Sequence, residues 1–226
     1  TGYARVYHNS VSMDYTSHTG SSAIYALYHT GANANLDIKN NVFAYTTNST
    51  GAKYNMYFAT NTAVVSSNNN VFYKGASAGT NNTGYWNSTA YNTLANWQAA
   101  NGSIYDAQSV GENPAFTANN NLKPTSALID NIGTDLSSVV TDDILGVPRS
   151  AFPDPGAYEY TPQVMSIDSV NVIQTVTASL GQSSTNNQML RVGIYTQNSL
   201  NPLILNSISF STNGSTNAAN DIQNAK

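Results

Sequence analysis

Residues 25–45 read YALYHTGANANLDIKNNVFAY, and residues 54–74 read YNMYFATNTAVVSSNNNVFYK. Laid over one another at an offset of 29 with no gap, Tyr25/Tyr54, Tyr28/Tyr57, Ala34/Ala63, Asn40/Asn69, Asn41/Asn70, Val42/Val71 and Phe43/Phe72 are identical, and Leu27/Met56 and Leu36/Val65 are similar. Val6–Met13, VYHNSVSM, reads as an earlier copy in which Asn9 and Val11 match Asn40 and Val42. Within a copy, apolar residues alternate over short stretches, as at Leu36, Ile38 and then Val42, and turn formers (Gly31, Asn33, Asn48, Gly51) separate the stretches. A unit this short cannot bury its apolar face alone. Stacking copies ~4.8 Å apart pairs each strand with its counterpart in the next copy and joins the apolar faces into one core.

The expected fold is therefore all-β: a right-handed parallel β-helix, a solenoid, with a C-terminal capping region over residues 1–161, followed by a partial β-sandwich over residues 162–226. A β-sandwich of ordinary hairpins is the rival, but hairpins do not require the same side chains to recur in register. In the stack Val42 and Val71 are equivalents on adjacent, parallel strands. Asn9, Asn40 and Asn69 are expected to form a ladder of amides hydrogen-bonded along the stacking axis, and Tyr25/Tyr54 and Tyr28/Tyr57 to stack in the same way.

Composition narrows the function. Of 226 residues 40% are hydrophobic, enough for a core, but only 9% are charged. The polar share comes from Asn, Ser and Thr, with 32 Asn alone. Such an uncharged polar surface suits a glycan or wall polysaccharide. It does not suit nucleic acid, because eight Lys and Arg against twelve Asp and Glu cannot neutralise phosphates. Cysteine is absent, which excludes disulfides and thiolate metal sites. No apolar run approaches the ~20 residues of a membrane span, so membrane insertion is not expected. The abrupt ends, TGYARVYHNS and NAANDIQNAK, read as cuts in a longer polypeptide.

After Lys74 the repeat fades. Gly84–Gln98, GYWNSTAYNTLANWQ, reads as a helix with Thr93 as N-cap and Gly102 as a stop. Further on come NPAF from Asn113, SALID from Ser126, DILGVPR from Asp143 and PDPGAYEY from Pro153. In that order, after NNVFY, these motifs resemble the last coils of secreted right-handed parallel β-helix proteins of the large Bacteroidetes surface type. The resemblance spans roughly residues 1–160, and the closing DILGVPR and PDPGAYEY are its most specific part. That family includes adhesin-like stalks, carbohydrate-binding modules and polysaccharide-degrading enzymes, so it implies a fold and export to the cell surface, by the type IX route, more than an activity. Beyond Thr161 and Pro162, Leu200–Gly214 resembles the opening of the β-sandwich module of sialidase-like (BNR-repeat) surface proteins.

Parallel β-helix lyases stack carboxylates on neighbouring rungs to hold Ca²⁺ or move protons. Here the repeat offers only Asp14 and Asp37, whose repeat partners are not acidic, and Lys39, Lys53 and Lys74 do not stack with them; these read as solvated side chains on an outer face. His8, His18 and His29 have no metal-binding spacing and read as surface or corner residues. Asp130, Asp135, Asp142, Asp143 and Asp154 read as turns and caps, with a structural calcium as the functional alternative. Arg149 and Glu159 read as an ion pair inside a motif that plugs the open end of the coil. No catalytic residue, metal ligand or cofactor is assigned.

The binding candidates are aromatic. The first hundred residues are tyrosine-rich, and Tyr28, Tyr57 and Trp86 are the expected stacking platform for sugar rings. Asp168-Ser169-Val170 resembles the acceptor of Bacteroidetes O-glycosylation, which would modify Ser169. The expected function is a non-catalytic adhesion, spacing or glycan-binding module of a large secreted or cell-surface protein. The alternative is the end of a polysaccharide lyase or glycosidase whose active rungs lie upstream. Ordering of water by a flat Thr face is disfavoured, since Thr30 aligns with Ala59 and Thr62 with Asn33.

Overall fold

The computed structural model describes all residues except 1, 2, 16, 18, 19, 32–34, 61–63, 76, 77, 101–103, 177–183, 199, 210 and 212–226; of Tyr3, Val64 and Val65 it describes the backbone alone. His18, Gly102, Ala34 and Ala63 fall outside the described residues.

The chain is all-β, and among the described residues the one α-helix is six residues long. Three units of three strands follow one another: β1 (Tyr3–Tyr7), β2 (Ser10–Met13) and β3 (Ile24–His29); β4 (Asn35–Lys39), β5 (Val42–Tyr45) and β6 (Lys53–Phe58); β7 (Val64–Asn68), β8 (Val71–Lys74) and β9 (Asn81–Trp86). Corresponding strands pair in parallel, giving sheets ordered β1-β4-β7, β2-β5-β8 and β3-β6-β9. Val42 lies opposite Val71 and Phe43 opposite Phe72, as the repeat requires. All three sheets feed one core of Leu36, Ile38, Phe43, Phe72, Met56 and Phe58.

The corner between the first two strands of each unit explains why two asparagines recur together. His8, Asn40 and Asn69 adopt φ of 54°, 56° and 53°, the left-handed region that Asn tolerates better than other side chains. The next residue carries the ladder. Asn9 Nδ2 donates to Asn41 Oδ1 at 3.0 Å, and Asn41 Nδ2 donates to Asn70 Oδ1 at 2.9 Å. The expected ladder of Asn9, Asn40 and Asn69 is thus corrected: Asn9 stacks on Asn41, because β2 pairs Ser10 with Val42 and Val11 with Phe43, an offset of 32 rather than 31. Asn40 and Asn69 turn outward instead and donate to Thr134 O and Ile132 O at 2.8 and 2.9 Å.

One side of the stack is covered and, among the described residues, the other is not. Beyond β7, Asp106 N–H bonds Ser67 O at 2.7 Å, and beyond β8, Val71 bridges Val110 in parallel. Beyond β9 lies an antiparallel strand, β10 (Thr89–Tyr91), followed by α1 (Leu94–Ala99). Thr93 caps α1 as expected, its hydroxyl accepting from Asn96 N–H at 3.1 Å, but residues 84–86 and 89–91 are strand, joined by a turn at Asn87 and Ser88, and not helix. Trp97 of α1 stacks on Phe58 at 6.3 Å, over Gly84, where any Cβ would sit 2.2 Å from the indole. The end is therefore covered by α1 and by Asp106 and Val110.

The closing motif does different work from the expected plug. Tyr160 and Ile129 pack on Val42 and Val71, against the β2-β5-β8 sheet. Gly156, at φ +94°, donates to Asn40 O at 2.7 Å and lies so close that a Cβ would meet Ser10 Oγ at 2.6 Å. The segment straps the first two units together along their flank.

Farther along, β11 (Ser166–Gln174) and β12 (Leu190–Gln197) form an antiparallel hairpin. A bulge at Asp168 keeps Ile167 on the face shared by Val170, Val172, Val192 and Ile194. Among the described residues no helix is long and apolar enough to cross a membrane.

Candidate functional site: a tyrosine face on the third sheet

A bend in β6 builds this face. In β6, Lys53, Asn55, Met56 and Phe58 are buried whereas Tyr54 and Tyr57 are half-buried, so two consecutive residues, Asn55 and Met56, point inward. Asn55 Nδ2 holds the bend by donating to Phe43 O at 2.8 Å and Tyr73 O at 3.2 Å. Strict alternation would have sent Tyr54 and Tyr57 to opposite faces. The bend puts both on the outside.

Register then multiplies the pair. Tyr25 lies opposite Tyr54, Tyr28 opposite Tyr57, and Tyr57 opposite Tyr85. The rings of Tyr25 and Tyr54 stack at 5.5 Å, those of Tyr28 and Tyr57 at 5.2 Å, and those of Tyr57 and Tyr85 at 4.3 Å. Edge-to-face contacts, such as Tyr54–Tyr57 at 5.2 Å, knit the columns into one cluster of five tyrosines. Within a column each ring face is covered by the next ring. The cluster therefore presents ring edges and phenol hydroxyls, except at Tyr28, which is 55% exposed at the end of its column. Burial, then the neighbouring phenol of Tyr85, pushes Tyr57 up to about 12, so that phenol is uncharged at neutral pH.

Of the expected platform, Tyr28 and Tyr57 come together but Trp86 does not join them. Trp86 points to the other face, packs on the core and meets Tyr105 edge-on at 6.5 Å. Its place is taken by Tyr85. The offset between β6 and β9 is 28, one less than between β3 and β6, so the repeat period leads to the wrong neighbour.

The charged candidates are tied up structurally. Asp37 is buried rather than solvated, accepts from the Tyr7 hydroxyl and pairs with Lys39 at 3.0 Å. Lys53 is wholly buried; its ammonium donates to Ser49 O and Ala78 O, each at 2.6 Å, and burial lowers its pKa. His8 is buried as well. Asn40 Oδ1 accepts from Thr134 N–H at 2.9 Å, so Asn40 Nδ2 must be the donor to His8 Nε2 at 3.0 Å, and Nδ1–H faces Asp154 O at 3.2 Å. That tautomer is neutral, and burial with the nearby Arg149 lowers the pKa to about 4. His29 Nε2 lies 3.0 Å from Gly31 O.

In the closing motif Arg149 pairs with Glu159 at 2.6 Å and also donates to Gly156 O at 2.9 Å. The acidic cluster is occupied by backbone N–H groups: Asp143 takes those of Leu145, Val147 and Glu159, and Asp154 takes those of Asn131 and Tyr160. Among the described residues no group of three or more His, Cys, Asp or Glu could hold a metal ion. Ser169 is exposed on β11, 3.5 Å from Asp168 Oδ2.

One buried acid went unremarked in the sequence. Asp106 is wholly buried and accepts from Ser67 Oγ, Asn70 Nδ2, Trp97 Nε1 and Ser109 Oγ at 2.7–3.0 Å. Its partners come from three separate stretches of chain, so no local motif could reveal it. No family model matches this chain, and neither a curated protein nor a solved structure does.

Proposed function

We propose that the three successive three-strand units are coils of a right-handed parallel β-helix, the hand that strand–crossover–strand connections almost always take. The chain is, on this reading, a non-catalytic module of a large secreted or cell-surface protein that binds a neutral glycan along its tyrosine face. The observation that carries the reading is the cluster of five touching tyrosines held outward by the Asn55 bend. Phenols recurring at the ~4.8 Å strand spacing offer a hydroxyl-rich polymer a regular row of hydrogen-bond partners, and the open ring of Tyr28 offers one stacking surface. The weakly charged, Asn-rich composition supports an uncharged ligand.

Affinity electrophoresis of the chain through gels holding neutral or acidic polysaccharides tests this. Retardation by a neutral polymer, lost in a Tyr28→Ala/Tyr57→Ala variant that melts like the parent, is the expected result. Mobility unchanged in every gel, or retardation indifferent to those substitutions, overturns the reading.

A further inference from the structure

The asparagine ladder has a direction. Asn9 N–H and Asn41 N–H donate to Asn41 Oδ1 and Asn70 Oδ1, both at 2.9 Å. A backbone N–H can only donate, so these contacts fix which end of each amide is oxygen. Along the ladder each Nδ2 donates to the next Oδ1 toward the third unit, although Asn41 Nδ2 also bonds Val6 O and Asn70 Nδ2 also bonds Ile38 O, and the last, on Asn70, donates to the Asp106 carboxylate at 3.0 Å. Aligned amide dipoles thus run head to tail and end, at their positive end, on a buried negative charge. By the same repetition Asn9 Oδ1 points away from Asn41, on an exposed residue.

The open side matches that direction. Among the described residues β1, β2 and β3 each pair on one side only, while the far sides of β7, β8 and β9 are taken by Asp106, Val110 and β10. Val6, Val11 and Leu27 of the open side are only partly buried, where their equivalents Ile38, Phe43 and Met56 are wholly so. We propose that this edge is a docking surface for one more unit of the same repeat, added in parallel and carrying an asparagine whose N–H and Nδ2 meet Asn9 Oδ1. A second copy of the chain does not fit. Head to head, two Asn9 acceptors would face each other; head to tail, α1 and residues 106–110 block the way. This holds independently of any glycan.

The test offers the chain its own second unit in trans, as a synthetic peptide of residues 35–58. Amide hydrogen exchange is read with and without the peptide, alongside sedimentation of the chain alone. The peptide should slow exchange in β1–β3 at least about fivefold and leave β7–β9 unchanged. A peptide with Asn41→Leu should protect far less, a comparison that leaves the folded chain untouched. Failure to protect β1–β3, equal protection by both peptides, or a chain dimer protected at β1–β3 would each overturn the proposal.

Discussion

Asn70 and Asp106 meet at 3.0 Å where the amide ladder ends, and the carboxylate there receives four side-chain donors with no cation among them. Burial pushes this carboxyl up, and the four hydrogen bonds pull it down. Asp106→Asn keeps the shape but turns its NH₂ toward a group that can only donate, Asn70 Nδ2 if it replaces Oδ1 or Trp97 Nε1 if it replaces Oδ2. Leaving a buried donor unmet costs about 1–3 kcal/mol. Asp106→Asn should therefore lower stability by about 2 kcal/mol in urea melts. A variant as stable as the parent would show that the hub contributes nothing net.

The neutral histidine at the first corner predicts a pH dependence. His8 titrates near 6.5 when unfolded and at about 4 when folded. The unfolded chain binds the extra proton between those values, so His8's contribution is fully present above about pH 6.5 and is lost as pH falls toward 4. Asp154, pushed up to about 6 by burial, has the opposite slope over part of this range. Asn fits the left-handed corner, as Asn40 and Asn69 show. The stability of the parent minus that of His8→Asn should rise with pH from about 4 to about 6.5 and then level, with a span on the order of 1–3 kcal/mol. Urea melts across that range check it, and a constant difference would contradict the neutral assignment.

Gly156 combines positive φ with close contact. A Cβ would lie 2.6 Å from Ser10 Oγ and 3.0 Å from Val42 Cγ2, and the backbone sits at φ +94°. Gly156→Ala should cost about 2–4 kcal/mol by strain and displacement of the flanking strap. Thermal melting reads this directly; an unchanged midpoint would mean the strap is not seated on the first two units.

Tyr85 and Trp86 are adjacent in sequence but face opposite ways, which separates binding from stability. Tyr85→Ala should weaken binding to a retained polysaccharide by about 3- to 10-fold with a modest change in melting. Trp86→Ala should leave affinity intact and cost about 2–4 kcal/mol of stability, because its ring packs on the core. Both are read by titration and melting of the same samples, and a reversed pattern would contradict the facing assigned here.

Much of this was legible in the sequence, and the failures have physical causes. Seven identities at one offset gave the pairing of β3 with β6 and of β5 with β8, including Tyr25 with Tyr54 and Val42 with Val71. The earlier copy slipped by one because Asn40 and Asn41 offer two registers. Asn9 matches either, and only the inward positions decide, since Val11 shares the core with Phe43 whereas Val42 faces the flank. Trp86 was misplaced because the period shortens by one at the last strand. The closing motif stood out as a motif, yet its seat on the flank depends on contacts with Ser10, Asn40 and Val42 more than a hundred residues away. Asp106 was invisible for the same reason.

Parallel register of the third sheet places the tyrosines, and cysteine cross-linking tests it most directly because the chain contains no cysteine. Tyr25 faces Tyr54 and Tyr28 faces Tyr57. In that arrangement Tyr25→Cys/Tyr54→Cys and Tyr28→Cys/Tyr57→Cys place Cα atoms about 5 Å apart, within disulfide reach. Tyr25→Cys/Tyr57→Cys and Tyr28→Cys/Tyr54→Cys lie three residues out of register, roughly 11 Å apart and beyond it. Mild oxidation should join the first two pairs and spare the second two. Cross-linking of the crossed pairs in preference to the direct ones would mean antiparallel strands and would contradict the stacked units from which everything else follows.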